Sequence, residues 1–439
     1  MVPPDGDGVA AESDPEIGND PATMSGEAEK PARPQPPRLD QGYAERTART
    51  IMAEVARARA LSAEGKWSVD VIDRAGVRTF VKTALYEETS PEEIELLGKI
   101  QAAFGVLPPD ADPESVLLDM YEQGVLGIYD PKTQTLLIGD FVPPSMLEMV
   151  VGHELAHGIQ DMHFDLEALQ KPMRDGPTRG FNDAETARTF LIEGDAQAAY
   201  LTWRGGPAGP ASIEDDVLDV LADQALGIDE RFTPYPTLAR MMQMPYTDGT
   251  ATVIRLARTR GWEAVDDMFT RLPETSEQML HLDKLVRREG SRPVKIDATK
   301  LAAALGEQTA PWSVAWEDDL GEAALLAMLA DIEPVATARD AAAGWDGDRF
   351  VALRRNDAGA EVVPTVIGLV AWDTEDDARA FEVSMRRYLE HAVDAPVFVE
   401  RKRQNVMYGT FLPAEADLDA VSKAGWAAFK VGRRSKGGR

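Results

Sequence analysis

A pair of closely spaced histidines carries the clearest chemical signal in this chain. His153 and His157 flank Glu154 in the pattern H-E-x-x-H, in a sequence with 5 histidines. Residues four positions apart lie on one face of a helix, so both imidazoles can bind one divalent ion such as Zn²⁺. Glu154 can then act as general base toward a water on the metal. The pattern predicts a catalytic metal centre, and its structural alternative is a solvated or packed histidine pair.

The residues before the motif predict that it lies within a helix. Pro143-Pro144-Ser145 is a helix-start signal, and Ser145 is the predicted N-cap. Apolar residues between 146 and 151 then form a stripe that precedes the first histidine. The local signals therefore agree with the helix that the metal chemistry requires.

A later acidic residue is the predicted third metal ligand. Glu193 follows His157 by 36 residues in the segment E-G-D-A. A carboxylate there would complete a three-ligand site and leave one position open for water and substrate. The alternative is a buried carboxylate paired with Arg188 or Arg204, while Asp195 is predicted to point away from the metal.

Residues just beyond the second histidine are predicted to support the ligands. Histidines on zinc usually donate their second ring nitrogen to a carboxylate or carbonyl. Asp161, one turn past His157, is the predicted orienting carboxylate. His163 should point away from the metal face, so we interpret it as a packing or supporting residue rather than a ligand.

Composition narrows the classes of function. The 439 residues suggest two or three domains, because single cores rarely exceed about 250–300 residues. Lys and Arg number 46 against 75 Asp and Glu, and the net charge of −29 predicts no nucleic-acid partner. The chain has 0 cysteines, which excludes disulfides and thiolate ligands. No apolar run approaches a membrane span, so no transmembrane segment is predicted.

The chain divides into four predicted parts. Residues 1–40 form an acidic, proline-rich leader that we expect to be disordered. Residues 41–318 form a mainly helical α+β unit that carries the motif and, at 125–139, a β-hairpin. Residues 319–430 form a smaller α+β unit, with a ferredoxin-like arrangement as one candidate. Residues 431–439 are a basic tail that we expect to fray.

Caps and apolar periodicity predict the helices of the larger unit. Pro245-Tyr246 is predicted to interrupt two of them, and Asn182 to start the helix that carries Glu193. The predicted helices cover 41–63, 74–86, 91–103, 113–123, 183–203, 212–226, 236–243, 248–260, 262–271 and 274–286.

Several of these stretches resemble one poorly characterised bacterial family of proposed zinc metallopeptidases. The segment GHELAHGIQDMHFDL at 152–166 resembles the family signature H-E-[LT]-x-H-A-L-Q-D-Q-H-F-D-L, with departures at Gly158 and, elsewhere, Leu282. The resemblance covers most of 41–420. Its further motifs are G-x-Y-D-P at 127–131, E-G-D-A at 193–196, P-Y-x-x-G at 245–249, P-x-[ST]-[TS]-E-Q-x-L-H at 273–281 and G-W-x-G-D-R at 344–349.

The resemblance implies a zinc metallopeptidase acting on a peptide or protein substrate. E-G-x-A after H-E-x-x-H is similar to the segment that supplies the third zinc ligand, here Glu193, in gluzincin aminopeptidases. The longer spacing in this chain departs from those enzymes, but a gluzincin-like metallopeptidase domain is the implied fold. His281 and Tyr246 become candidates for donating hydrogen bonds to the oxyanion of the reaction. The oligomeric state is left open.

The sequence therefore leaves three hypotheses about function open. The first is peptide-bond hydrolysis with Glu154 as general base, and the second is a catalytically idle protein that retains zinc for binding or structure. The third is an enzyme whose cleft is covered by the leader or the C-terminal unit. The leader and the resemblance favour export, to the periplasm, the medium or a lipid anchor with the signal removed. A cytoplasmic location is the alternative.

Overall fold

The computed structural model describes residues 38–171, 183–231, 233–306, 311–359, 361–414 and 416–434. The predicted leader up to residue 37 and the predicted helix start at Asn182 lie outside these ranges. Residues 38–439 cluster as one contact unit. A shared apolar core runs from Ala44 near the start of that unit to Tyr408 near its end.

The described residues form a mainly helical α+β fold. The helices are α1 (Gln41–Arg59), α2 (Arg74–Glu88), α3 (Pro91–Ala103), α4 (Pro113–Gly124), α5 (Leu147–Phe164), α6 (Leu166–Gln170), α7 (Asp183–Gly205), α8 (Asp215–Leu226), α9 (Pro236–Met244), α10 (Thr250–Arg260), α11 (Trp262–Thr270), α12 (Ser276–Leu280), α13 (Leu282–Arg287), α14 (Ala298–Gly306), α15 (Gly321–Leu329), α16 (Val335–Ala342), α17 (Glu375–Ala392) and α18 (Leu418–Ala428). Among these described helices, none is long and apolar enough to cross a membrane.

The strands belong to separate small sheets. They are β1 (Ser68–Ile72), β2 (Gly127–Asp130), β3 (Thr135–Gly139), β4 (Val294–Ile296), β5 (Trp312–Asp318), β6 (Trp345–Arg355), β7 (Thr365–Trp372), β8 (Phe398–Lys402), β9 (Asn405–Thr410) and β10 (Phe429–Val431). The sheet orders are β1-β3-β2, β10-β4 and β5-β6-β7-β9-β8.

Local capping chemistry confirms several predicted helix starts. Ser90 and Glu93 form a reciprocal capping box at the start of α3, and Pro91 occupies its first position. Asp112 caps α4, which likewise begins with a proline, Pro113. These helices begin where predicted because their starts depend on neighbouring residues alone.

The predicted hairpin is confirmed and lies at one side of the motif helix. β2 pairs with β3 in antiparallel register, and β3 also pairs in parallel with β1. β2 is therefore an edge strand, and it contacts α5 directly. The hairpin places one open backbone edge beside the H-E-x-x-H helix.

The helix α5 begins without the predicted serine cap. Its first residue is Leu147, preceded by Met146 in helical conformation, and no side chain caps its N-terminus. The Met146 N–H donates to the Pro143 carbonyl over 2.8 Å. The prediction of Ser145 as cap was wrong because this backbone turn leads directly into the helix, leaving no extended residue at the cap position.

The five-stranded sheet β5-β6-β7-β9-β8, the larger sheet of this fold, is covered by helices on both faces. Val366 and Val370 of β7 pack in the same core as Phe381 of α17. The alternate residues Ile367 and Leu369 pack in a second core with α18. Successive strand residues point to opposite faces, so α17 and α18 cover opposite sides of the sheet.

The ferredoxin-like arrangement of the C-terminal part is wrong. In a β-α-β-β-α-β unit the strand after the second helix joins the same sheet. Here β10 follows α18 but pairs with β4, and β6 lies beside β7 instead. β4, β5, α14, α16 and β10 were not predicted. β5 precedes the predicted boundary at residue 319 yet pairs with β6.

The C-terminal tail is attached as far as Arg434. This residue forms ion pairs with Glu289, Asp346 and Asp373. The prediction of a frayed tail from residue 431 was therefore wrong up to residue 434, because three acidic partners, of which Asp346 is buried, hold its arginine. Residues 435–439 lie outside the described ranges.

A π-helical turn at Pro245–Gly249 joins α9 to α10. The predicted interruption at Pro245-Tyr246 is instead a local widening of one continuous helix. Proline lacks the N–H of a regular helical ladder, and a π turn lets the chain pass that gap. The turn contacts α7, the helix of Glu193.

Two glycines set the distance between α7 and the π turn. A Cβ on Gly194 would lie 2.4 Å from the carbonyl carbon of Gly249, and one on Gly249 would lie 2.5 Å from the Phe190 carbonyl oxygen. Both contacts are with backbone atoms, which have little freedom to move. Glycine at these two positions therefore permits the close crossing.

We expect Gly194→Ala to destabilise the protein by about 1–3 kcal/mol, as overpacking does. Alanine in a helix otherwise gains about 0.5–1 kcal/mol over glycine. The matched control is Gly124→Ala at the end of α4, where an added Cβ has no atom within 4 Å. The free energy of unfolding in urea measures both variants. Equal stability of the two variants would contradict the close crossing.

Candidate metal centre

Side chains from two helices converge at one point as the sequence predicted. His153 and His157 lie one turn apart on α5, and Glu193 faces them from α7. Their two Nε2 atoms are 3.1 Å apart, and Glu193 Oε2 lies 3.3 Å from the first and 3.2 Å from the second. Ligands held about 2.0–2.1 Å from a tetrahedral ion are themselves about 3.3 Å apart. The three groups can therefore hold one metal ion.

The alternative pairing of Glu193 with an arginine is not found. Arg204 donates to Glu148 over 3.0 Å, and Arg188 donates to the carbonyl of Lys171. Glu193 Oε2 instead lies 3.3 Å from His153 Nε2 and 3.2 Å from His157 Nε2. The side chain of Glu193 therefore points toward the two histidines and does not pair on the surface of α7.

Two glutamines orient the imidazole rings. Gln160 Oε1 lies 2.9 Å from His157 Nδ1, and Gln197 Oε1 lies 3.2 Å from His153 Nδ1. An amide oxygen only accepts, so each Nδ1 carries a hydrogen, and Nε2 is the ring nitrogen that remains to bind a metal. The described residues therefore hold both histidines in the tautomer that binds an ion.

A buried chain of hydrogen bonds extends from Gln160 to α1. Gln160 Nε2 donates to the Ile192 carbonyl and to Asp195 Oδ2, each over 2.9 Å. Arg59 then donates to Asp195 over 2.5 Å and to Asp266 over 2.7 Å. Arg59 is 1% exposed and Asp195 is 0% exposed, so this is an ion pair inside the protein. The sequence did not predict it, because Arg59 is distant along the chain.

The predicted orienting role of Asp161 is wrong. Asp161 accepts hydrogen bonds from the Tyr129 hydroxyl and from the Leu166 N–H, each over 2.9 Å. One residue earlier on the helix, Gln160 faces the ring of His157 instead. At about 100° per residue, one position is enough to turn a side chain out of the site.

The side chain of Glu154, a residue of α5, lies against the edge strand β2. It is 6% exposed, and its carboxylate lies close to the backbone of Gly127 in β2. A Cβ on Gly127 would lie 3.0 Å from Glu154 Oε1 and 2.7 Å from a methyl of Val150. Burial raises the pKa of the Glu154 carboxyl, and the two motif histidines oppose that rise. The G-x-Y-D-P hairpin thus positions the predicted general base.

Tyr246 meets the centre from the π turn. Its ring centroid lies 5.5 Å from that of His153, and its hydroxyl is within reach of the charge of Glu193. Burial, followed by the charges of Glu193 and Glu154, raises the pKa of Tyr246 far above its usual value. The hydroxyl therefore stays protonated and can act as a donor.

Tyr121 of α4 is a neighbour that sequence reasoning missed. Burial raises its pKa, and the charge of Glu193 raises it further, which places it close to the cluster. No motif or spacing near Tyr121 relates it to the histidines. Only the packing of α4 could reveal it.

His281 and His163 lie in other surroundings. His281 Nε2 is 2.7 Å from Glu322 Oε1, in a group of charged residues that includes Glu277 and Lys284. His163 contacts the Ser62 carbonyl over 3.0 Å. Among the described residues, neither ring joins the metal-binding cluster. His163 therefore lies off the metal face as predicted, but it is exposed rather than packed.

Charge within the cluster couples the two ligand types. Burial opposes a charged His157, but Glu193 outweighs that effect and raises the pKa of His157 to about 9. Burial likewise disfavours a charged Glu193, but the two histidines hold its pKa well below the usual value. A proton shared by these groups therefore competes with a metal ion.

We expect metal affinity to rise about tenfold per pH unit from about pH 7 to about pH 9. Below a pKa of about 9, the ion must displace one proton from His157, and above it no such competition remains. Competition against a chromogenic chelator at several pH values measures the dissociation constant. An affinity independent of pH over this range would contradict the proton on His157.

We expect Gln160→Met to weaken metal binding by about 10–100-fold, because the ring of His157 loses its orienting partner. The matched control is Asp161→Asn on the next residue, which contacts Tyr129 rather than a ligand. The same chelator competition compares both variants. A larger loss in the control would restore Asp161 as the orienting residue.

Comparison with known proteins covers only the C-terminal part of the chain. A family model described as a domain of unknown function (DUF8575) matches residues 312–420. That segment contains the larger sheet and α17 but no residue of the metal-binding cluster. No curated protein and no solved structure matches the chain. The chemistry proposed for the centre therefore rests on its own geometry.

Proposed function

We propose that this protein is a zinc metallopeptidase with a gluzincin-like centre. The observation that carries the proposal is the triangle of His153, His157 and Glu193 with Glu154 beside it. Two imidazoles and one carboxylate are a common donor set for catalytic zinc, whereas structural zinc sites usually have four protein ligands, often cysteine. A site with three ligands leaves room for water and substrate.

Glu154 is the proposed general base. Bound zinc would supply Lewis acidity toward a water molecule and toward the scissile carbonyl. Glu154 accepts the water proton and passes it to the departing amine. Burial raises the pKa of this carboxyl toward the range in which such transfer is efficient. Its contacts with β2 hold it in one place during both transfers.

The edge of β2 supports a peptide as substrate. The Gly139 N–H donates to the Leu126 carbonyl, so residues 126 and 139 form a hydrogen-bonded pair. By the antiparallel alternation, the backbone groups of Gly127 and Tyr129 point away from β3. These outward groups lie beside Glu154, whose Oε1 would be 3.0 Å from a Cβ on Gly127. An extended peptide can add to this edge as a strand.

Tyr246 is the better supported of the two proposed oxyanion donors. Its ring lies beside that of His153 and its hydroxyl stays protonated, so it can donate to charge that develops next to the metal. His281 is paired with Glu322 and has no described contact with the cluster. The proposed oxyanion interaction therefore rests on Tyr246.

We expect Glu154→Gln to lower peptide cleavage by about 10²–10⁴-fold without loss of zinc, because only the base is removed. Glu193→Ala should lower the zinc content, because a ligand is removed. Chelator-sensitive cleavage of casein and zinc analysis of the purified protein measure both effects. If the unaltered protein holds zinc but cleaves no peptide, the idle zinc protein replaces the peptidase.

A further inference from the structure

A cavity adjoins the metal centre and has no part in the mechanism above. Its volume is about 230 Å³, and it lies between α7, α9, the π turn and α15. Its wall is formed mainly by Thr189, Phe190, Met241, Met244, Pro245 and Ala324. Glu185 and Thr186 line it at the beginning of α7.

The position of the cavity follows from two elements that it shares with the centre. Thr189 lies one helical turn before Glu193, and residues four apart on a helix are neighbours about 5–6 Å apart. Pro245 directly precedes Tyr246, whose ring centroid lies 5.5 Å from that of His153. The cavity therefore lies one helical turn from Glu193 on α7 and one residue from Tyr246 on the π turn.

The chemistry of the wall favours an apolar occupant. Six of the nine residues that line it are apolar, among them Phe190, Met241 and Met244, and its polar residues lie together on one helix, α7. A cavity of about 150 Å³ lined by apolar groups can hold a benzene ring, so this one has room for a leucine or phenylalanine side chain. Glu185 and the net charge of −29 both disfavour an acidic group.

We propose that this cavity is the specificity pocket for an aliphatic or aromatic side chain next to the scissile bond. The inference rests on the proposed peptidase activity and names the substrate class of that centre. Small residues such as Ala324 leave its space open, and the methionines can adapt to side chains of different shape. The edge of β2 would then hold the substrate backbone while this pocket selects its side chain.

Binding can be tested apart from catalysis. The full-length Glu154→Gln protein is labelled at its methionine methyl groups and titrated with N-acetyl-phenylalaninamide, with N-acetyl-glutamate as the acidic control probe. The methyl signals of Met241 and Met244 should shift with the first probe and not with the second. The methyl of Met385, buried in the C-terminal core, serves as the internal reference. Unchanged signals from both cavity methionines would overturn the pocket.

Cleavage tests the same pocket in its active form. The measured quantity is the ratio of kcat/KM for matched peptides with phenylalanine and alanine beside the cleaved bond. Ala324→Leu fills the cavity and should lower the ratio tenfold or more, whereas Met241→Ala enlarges it and should not. Val383→Ala, at an exposed site on α17, is the matched control.

The outcomes separate the pocket from the peptidase. Cleavage with a ratio that Ala324→Leu leaves unchanged overturns the pocket and leaves the peptidase standing. Methyl shifts at Met241 and Met244 without cleavage of any peptide support the pocket and overturn the peptidase. If Ala324→Leu does not fold, the methyl titration and the Met241→Ala variant still test whether the pocket exists.

Discussion

The buried ion pair between Arg59 and Asp195 is the interaction on which the rest of this structure depends. It joins α1 to α7, and Gln160 connects it to α5. An unpaired charge inside a protein costs about 3–5 kcal/mol, so these three helices can pack together only in the arrangement that keeps the pair intact. That same arrangement places the ring of His157 and the carboxylate of Glu193 at ligand distance.

The motifs around the centre are explained by close backbone approach as much as by chemistry. Gly127 lets the edge strand come within reach of Glu154, and Gly194 with Gly249 lets α7 cross the π turn. A side chain at any of these glycines would separate the elements that carry the functional groups. The short segments G-x-Y-D-P, E-G-D-A and P-Y-x-x-G therefore encode distances between elements as well as reactive side chains.

The accuracy of the predictions varied with the range of the interactions involved. The starts of α3 and α4 depend on caps within a few residues, and the hairpin depends on a short turn, so both were predictable. The strand β5 and the pairing of β10 with β4 depend on partners far along the chain and were missed. The ferredoxin-like assignment failed for the same reason, since strand order is a property of the whole sheet.

The sequence by itself determined His153 and His157 as the candidate metal ligands, because helical periodicity alone brings residues four apart together. It also indicated Glu193, although across a gap of 36 residues it could not establish the contact. The tertiary structure decided which groups support the ligands: Gln160 rather than Asp161. That choice depends on helix rotation and on packing against α1 and α7, and neither is encoded by local spacing.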